Sequence, residues 1–413
     1  MFNILVSAYA ISPTWGSEPG MGWNWIKALA KDCELYVITE GEWKEDIEAA
    51  VNLLPNKKNF HFFYNPVSTE IRQMCWNQGD WRFYYYYRQW QKQTLRIAQQ
   101  ICSEHQIDII HQLNMVGFRE PGLLWKIKGP KFIWGPIGGM DNIPLAYLSN
   151  AGLKQNVFCR LKNCINSLQY KYQPNVRKAI QRADALVSAV KGVQFVLENY
   201  YHKETILINE TGCTIDASCP LRIKDREDTT FNILWVGKFD FRKQLGLALQ
   251  SLVPIKDLNI KLHICGAGSE EQTLNYKSLA KRIGVDHMCV WHGVVNHDKI
   301  QQIMAHSDLF FFTSIMEATS TVILEAISSG LPILCFNTCG FGPIVIPQIG
   351  RKIELTNPKQ SINEFASQIK DLYNNREILD EMSQYEIAYR KTLSWEHKAK
   401  QMVEIYHSVL QGK

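Results

Sequence analysis

The sequence predicts an α/β fold of two Rossmann-like, doubly wound domains, each on a parallel sheet, facing a cleft. Three observations carry this expectation. Short apolar runs alternate with helical segments along all 413 residues. The runs are too continuously apolar for a sheet wetted on one face, so helices must cover both faces. The alternation pauses once, at a polar stretch containing Pro220, and then restarts with a fresh strand. A chain of this length holds two to three domains, and its 46% hydrophobic content suits large cores.

In chain order, the expected strands of the first half are 3–9, 34–39, 60–64, 107–111, 132–134, 185–188 and 205–208. Those of the second half are 232–236, 261–265, 289–291, 309–312 and 333–335. The division is therefore 1–208 for the first domain, 209–230 for a linker and 231–394 for the second domain. Residues 395–413 read as one amphipathic helix, with Met402, Ile405, Tyr406 and Val409 at helical spacing. No short-period repeat interrupts the pattern.

Composition narrows the class. The net charge of +5 is modest. The 11 cysteines are scattered and never spaced Cys-x-x-Cys, which argues against a disulfide framework or a structural zinc and for a reducing cytosol. Cys335 and Cys339 read as small buried residues. No apolar run reaches the roughly 18 residues that span a bilayer. Met1 to Val6 looks like a first strand, with no basic segment before it. The expected place is the cytoplasm, with attachment at the inner face of a membrane left open.

The stretch around Glu317 and Glu325 is the most informative. An apolar run, 309–312, leads into an acidic loop, a helix ending at Gly330, and another strand. That is a βαβ unit, and such units hold ligands at the carboxyl ends of their strands. The free amides of Ser320, Thr321 and Val322 at the helix start can take phosphate oxygens. Two acceptor-only carboxylates beside that anion site suit hydroxyl-rich groups, such as a sugar and a ribose flanking a diphosphate. A loop charge and a solvated helix residue are the blander alternative.

A second strand end reads Gly237-Lys238, followed by Arg242 and Lys243, which open the next helix. Cations there offset the charge of a diphosphate. Without an anion, each base at a helix start is unfavourable by ~0.3–1 kcal/mol. Gly266 belongs to a Gly-x-Gly turn that needs no ligand to explain it. His292 is read as a core or rim histidine. In the first half, Gly16, Ser17 and Glu18 follow the first strand and precede a helix, where small residues permit close backbone approach. His111 ends a strand, and Asn114, Arg119 and Glu120 follow it. Gly138 and Gly139 make a further glycine-rich strand end.

These motifs resemble family 4 retaining glycosyltransferases (glycosyl transferases group 1), enzymes of the GT-B fold. The Glu317/Glu325 spacing resembles the family's Glu-x7-Glu signature. The 237–243 stretch resembles its Gly-Arg…Lys-Gly pattern, with Lys238 for Arg and Gln244 for Gly. The loop at Gly16 and Ser17 resembles its paired glycines. The resemblance implies that Glu317 faces the donor sugar and Glu325 the ribose. It implies that Lys238, Arg242 and Lys243 serve the diphosphate, with Gly16, Ser17, Gly237 and Gly266 nearby. It offers His111 as a sugar-contacting histidine, and Glu18, Asn114, Arg119, Gly138 and Gly139 as acceptor-side residues. The terminal helix, opening Ser-Trp-Glu, is expected to pack back on the first domain.

The expected function is transfer of a hexose-type sugar from a UDP-, GDP- or ADP-sugar to an acceptor hydroxyl, with no cofactor and no metal. The family context is bacterial surface polysaccharide or lipid-linked glycan assembly, with a glycan or lipid-linked acceptor. The alternatives are a nucleotide-sugar epimerase of the same fold and an inactive nucleotide-sugar-binding partner protein. Two stretches are candidates for the acceptor: the aromatic, basic 76–96, and 152–182, which carries seven bases and no acid. Sugar stacking and contact with anionic lipid both fit them. Nucleic acid fits least, given the modest charge.

Overall fold

The structure, a computed structural model, describes residues 1–77, 80–150, 152–215, 220–223 and 229–412. Residues 216–219 and 224–228 of the expected linker, and residue 413 of the expected terminal helix, lie outside the described residues.

Two parallel sheets form. The first contains β1 (Phe2–Ser7), β2 (Cys33–Thr39), β3 (Phe60–Tyr64), β4 (Ile109–Gln112), β5 (Lys131–Ile137), β6 (Ala185–Ser188) and β7 (Ile206–Leu207). Its strand order is β3-β2-β1-β4-β5-β6-β7. The second contains β8 (Phe231–Val236), β9 (Ile260–Cys265), β10 (Cys289–Gly293), β11 (Leu309–Phe312), β12 (Ile333–Phe336) and β13 (Gly350–Ile353). Its order is β10-β9-β8-β11-β12-β13. Both sheets are doubly wound, and each order reverses beside its first strand: between β1 and β4, and between β8 and β11. Ligand crevices of α/β sheets open at such reversals.

Every expected strand is present. β13 was not expected: its Gly-Arg-Lys-Ile sequence lacks an apolar run because it is an edge strand, pairing with β12 alone. The central strands are apolar because both faces are buried. Ile4, Leu5 and Val6 of β1 and Phe310 and Phe311 of β11 have no exposed surface, and each such side chain gains about 1.5–3 kcal/mol over exposure.

The chain divides into two compact units. The first is Met1–Asp141, Ile165–Thr211 and the residues from Trp395 on; the second is Asn142–Cys164 and Gly212–Ser394. The expected boundary at 208 needs correcting for Asn142–Cys164. Tyr147 is buried in the second unit's core, edge-on to Phe336 at 5.7 Å and bonded through its hydroxyl to Ser361 Oγ at 2.7 Å. Of the expected linker, residues 209–211 belong to the first unit, and the described residues from Gly212 on are likewise integral to the second. Cys213 N donates to Leu393 O at 2.8 Å. Arg222 pairs with Asp308 at 3.2 Å and Asp380 at 3.1 Å.

In the first unit, helix Trp395–Gln411 packs on helix Ser17–Leu29. Trp395 meets Trp25 edge-on at 6.0 Å, and Met402, Ile405 and Tyr406 join the same core as Ile26.

Candidate active site

The best-formed site lies in the second unit, at the reversal between β8 and β11. β8 ends at Val236, and Gly237 follows. A side chain at Gly237 would crowd Trp235 and the Lys243 stem, at 3.1 and 3.4 Å. Asp240 then caps a single 3-10 turn, Phe241–Lys243, by accepting from Arg242 N at 2.8 Å. The expectation that Arg242 and Lys243 open an α-helix therefore needs correction. The helix begins at Leu245, and Gln244 stands before it at φ 53. The Asp240 cap and this left-handed residue hold the two bases in a turn, short of the helix start where they would be unfavourable.

Lys243 reaches Glu317. Its Nζ is 2.6 Å from Glu317 Oε1, and the side chains are 14% and 17% exposed. So little water surrounds the pair that losing either partner would strand a charge. Ser314 Oγ donates to the same carboxylate oxygen at 3.0 Å, and Glu317 N donates to Cys339 Sγ at 3.1 Å. The two loops are also joined through their backbones. Ile315 N donates to Arg242 O at 2.9 Å, and Thr313 Oγ1 donates to Lys243 O at 2.8 Å. The ammonium lies 4.9 Å from the centre of the Phe312 ring, a cation–π contact. Arg242 is more exposed and pairs with Asp240 at 2.8 Å.

Glu325 sits on helix Thr321–Ser329, whose first residue follows Ser320. The Ser320 side chain makes no capping bond there. Helix geometry leaves the first amides without intrahelical acceptors, the arrangement that suits an anion. Glu325 is 30% exposed and lies 3.9 Å from His297 Nε2. Burial raises its carboxyl pKa, against the opposing pull of His297.

Gly266, at φ 130, brings the tips of β8 and β9 together. A Cβ there would lie 1.9 Å from Gly237 O, so the turn demands glycine for its own backbone. Beside it is a cavity of about 410 Å³ lined in part by Gly237, Lys238, Gly266, Ala267, Gly268 and Val294. Lys238 is exposed at its edge. His292 stacks on His263 with ring nitrogens 3.0 Å apart, a rim contact.

In the first unit three of the expected residues, His111, Asn114 and Arg119, are spent on structure. His111 is fully buried in β4, opposite Val6 of β1. Its Nε2–H donates to Gly135 O at 2.7 Å, and Nδ1 accepts from the Tyr406 hydroxyl at 2.7 Å. Burial pushes the imidazole down to about 4. With both nitrogens bonded and no surface, His111 has nothing to offer a sugar, so its expected catalytic role is corrected to a structural one. Asn114 is buried too, donating to Ala10 O at 2.9 Å. Arg119 donates to Gln169 Oε1 at 2.7 Å and to Asn166, and stacks on Phe118 at 4.7 Å. Both are therefore framework residues. Glu18 is half-buried and accepts from Val116 N at 2.8 Å; burial raises its pKa. Gly138 pairs with Gly117 across a bridge. Gly139, at φ 84, is exposed, as is Gly16. Ser17 takes φ 55 at the first residue of its helix.

Ser314, Cys339 and Asp240 escaped sequence reasoning. Asp240 carried a readable signal, an Asp two residues before a turn amide. Ser314 and Cys339 carried none, because their roles depend on contacts across loops.

Residues 221–389 match the family model described as glycosyl transferases group 1. An uncharacterized glycosyltransferase of Methanocaldococcus jannaschii, MJ1607, is 27% identical over 182 residues, which are 44% of this chain and 45% of that protein. The matches span less than half the length of each curated relative. Among solved structures, the lipopolysaccharide outer core galactosyltransferase WaaB has a TM-score of 0.65 at 14% identity, covering 100% of this chain and 99% of its own. Anabaena Alr3699/HepE, solved with UDP, has a TM-score of 0.59 at 13% identity, covering 99% of this chain and all of its own. These likenesses are of fold, the GT-B pairing of two Rossmann-like domains. The stretch that matches the glycosyl transferases group 1 model, residues 221–389, is the one that holds Gly237, Lys243, Glu317 and Glu325.

Proposed function

We propose that this chain is a retaining glycosyltransferase of family 4. It moves a hexose-type sugar from a UDP-, GDP- or ADP-sugar to a hydroxyl of a glycan or lipid-linked acceptor, in the assembly of a surface polysaccharide or lipid-linked glycan. The observation that carries this reading is the enclosed Lys243–Glu317 pair at the β8/β11 reversal, with Glu325 on the helix that follows.

An arriving diphosphate supplies the anion that Lys243 now finds in Glu317. Lys243, aided by Lys238, Arg242 and the amides near Ser320 to Val322, offsets charge on the departing nucleotide. Glu317 is then free to hold a sugar hydroxyl, and Glu325 accepts from the ribose. Both carboxylates serve the donor side, so the paired-carboxylate chemistry of glycoside hydrolases is not assigned. By family analogy, the leaving phosphate helps take the acceptor proton, without a metal. Gly16, Ser17, Glu18 and Gly139 remain first-unit candidates for ligand contact. HepE's UDP and WaaB's lipopolysaccharide role support the nucleotide and the setting. Among the described residues no helix is long and apolar enough to cross a membrane.

Thermal-shift screening against UDP-, GDP- and ADP-sugars tests the donor, since a ligand of the native state raises the melting point. NMR of the best donor with and without acceptors tests the reaction. No melting shift with any donor sinks the reading. Epimerisation of donor alone would identify an epimerase, and binding without transfer a non-catalytic partner.

A further inference from the structure

Helix Leu153–Tyr172 is built inside out. Leu153, Val157, Leu161, Ile165, Leu168 and Tyr172 follow one another at spacings of three or four, so they share one face. All six are exposed, from 44% at Ile165 to 82% at Leu153, and Phe158 beside them is 58% exposed. The opposite face is held to the protein by asparagines. Asn156 donates to Leu148 O at 3.2 Å. Asn163 bonds both ways with the Ile143 backbone, each at 2.8 Å. Asn166, buried, donates to the carbonyls of Met140 and Asp141 at 3.1 Å. Polar side chains thus face inward and apolar ones face water, the reverse of a surface helix.

The charge is one-sided as well. The helix carries Lys154, Arg160, Lys162 and Lys171, and no Asp or Glu occurs from 152 to 182. An apolar stripe flanked by bases complements a surface that is oily beneath and anionic above. Twenty residues of helix extend about 30 Å, enough to lie along such a surface.

We propose that this helix lies in the interface of an anionic phospholipid bilayer, its apolar stripe in the acyl boundary and its bases among the phosphates. The proposal goes beyond the transferase reading and does not need it, because vesicle binding requires no donor sugar.

Co-sedimentation of the full chain with vesicles is the test. Wild-type protein is expected to pellet with phosphatidylglycerol–phosphatidylcholine vesicles and at least about tenfold less with phosphatidylcholine alone. The triple variant Val157→Asn, Leu161→Asn, Leu168→Asn is expected to lose at least about tenfold in binding to the anionic vesicles. Its melting point and any donor-induced shift should stay unchanged, since these side chains are exposed. The variant Lys154→Gln, Arg160→Gln, Lys162→Gln should lose the preference for anionic lipid. Wild-type protein left in the supernatant, or an asparagine variant that binds as well as wild type, overturns the proposal. So does a wild-type dimer in light scattering that the asparagine variant dissolves, because the stripe would then belong to a second copy.

Discussion

The two sheet reversals differ in how their polar groups are used. At β1/β4 the polar groups bond inward: His111 to Gly135 and Tyr406, Asn114 to Ala10, and Glu18 to Val116. At β8/β11 they meet one another across two loops, as Lys243 and Glu317. The same strand-end position builds a scaffold in one unit and, in the other, an ion pair that the proposed function has a ligand divide. A motif-like residue becomes a site residue only when its partner can be exchanged for a ligand.

The most severe way to break this contrast is Lys243→Ala. It removes the cation proposed for the diphosphate and leaves Glu317 enclosed without its counter-charge. Turnover should fall by about 10²–10³, and stability by about 3–5 kcal/mol. Full activity in a folded Lys243→Ala protein would erase the distinction. Glu317→Ala should mainly lower kcat, and Glu325→Ala mainly weaken nucleotide binding; equal activity of both with wild type refutes their assignment.

On the scaffold side, Tyr406→Phe leaves buried His111 Nδ1 without its donor. Denaturant unfolding should show a loss of about 1–3 kcal/mol, while kcat and KM stay within a factor of about two, since no contact to substrate is removed. A large fall in kcat at unchanged stability would return His111 to the chemistry.

A milder probe is pH. The raised pKa of Glu325 means that its acceptor character is lost as pH falls, earlier than for an ordinary carboxylate. Nucleotide affinity, followed by calorimetry, should weaken through that window, and Glu325→Gln should flatten the profile. For folding the sign is opposite. The folded form holds this proton more tightly than the unfolded chain, so the Glu325 contribution to stability declines as pH rises past the unfolded carboxylate value.

The smallest effect is expected at the two left-handed residues. Ser17→Gly and Gln244→Gly should each stabilise the fold by about 1 kcal/mol, because glycine carries no Cβ penalty at φ 55 and 53. Unchanged melting points would mean that the serine and glutamine side chains compensate.

The strands were legible because buried parallel strands must be apolar, as β11 with three consecutive phenylalanines illustrates. β13 was hidden by its edge position, which tolerates Arg351 and Lys352. At the candidate site, the proximity of Lys243 to the acidic loop followed from strand-end logic. The capped turn carrying it did not, because it depends on Gln244 adopting a glycine-like backbone. The burial of His111 was invisible because its hydroxyl partner lies 295 residues away in sequence. For helix Leu153–Tyr172 the bases were plain, but which face points outward is decided by three asparagines finding carbonyls and an amide in residues 140–148.

The helix from Trp395 carries a consequence for biosynthesis. Trp25, Ile26 and His111 are made early, yet Trp395, Met402 and Tyr406 complete their surroundings. The amino-terminal unit therefore cannot close its core on the ribosome while the carboxyl-terminal one is still emerging, contrary to the usual order in which domains fold as they are made. A released chain ending at residue 394 should leave that early unit open to protease while the later one resists.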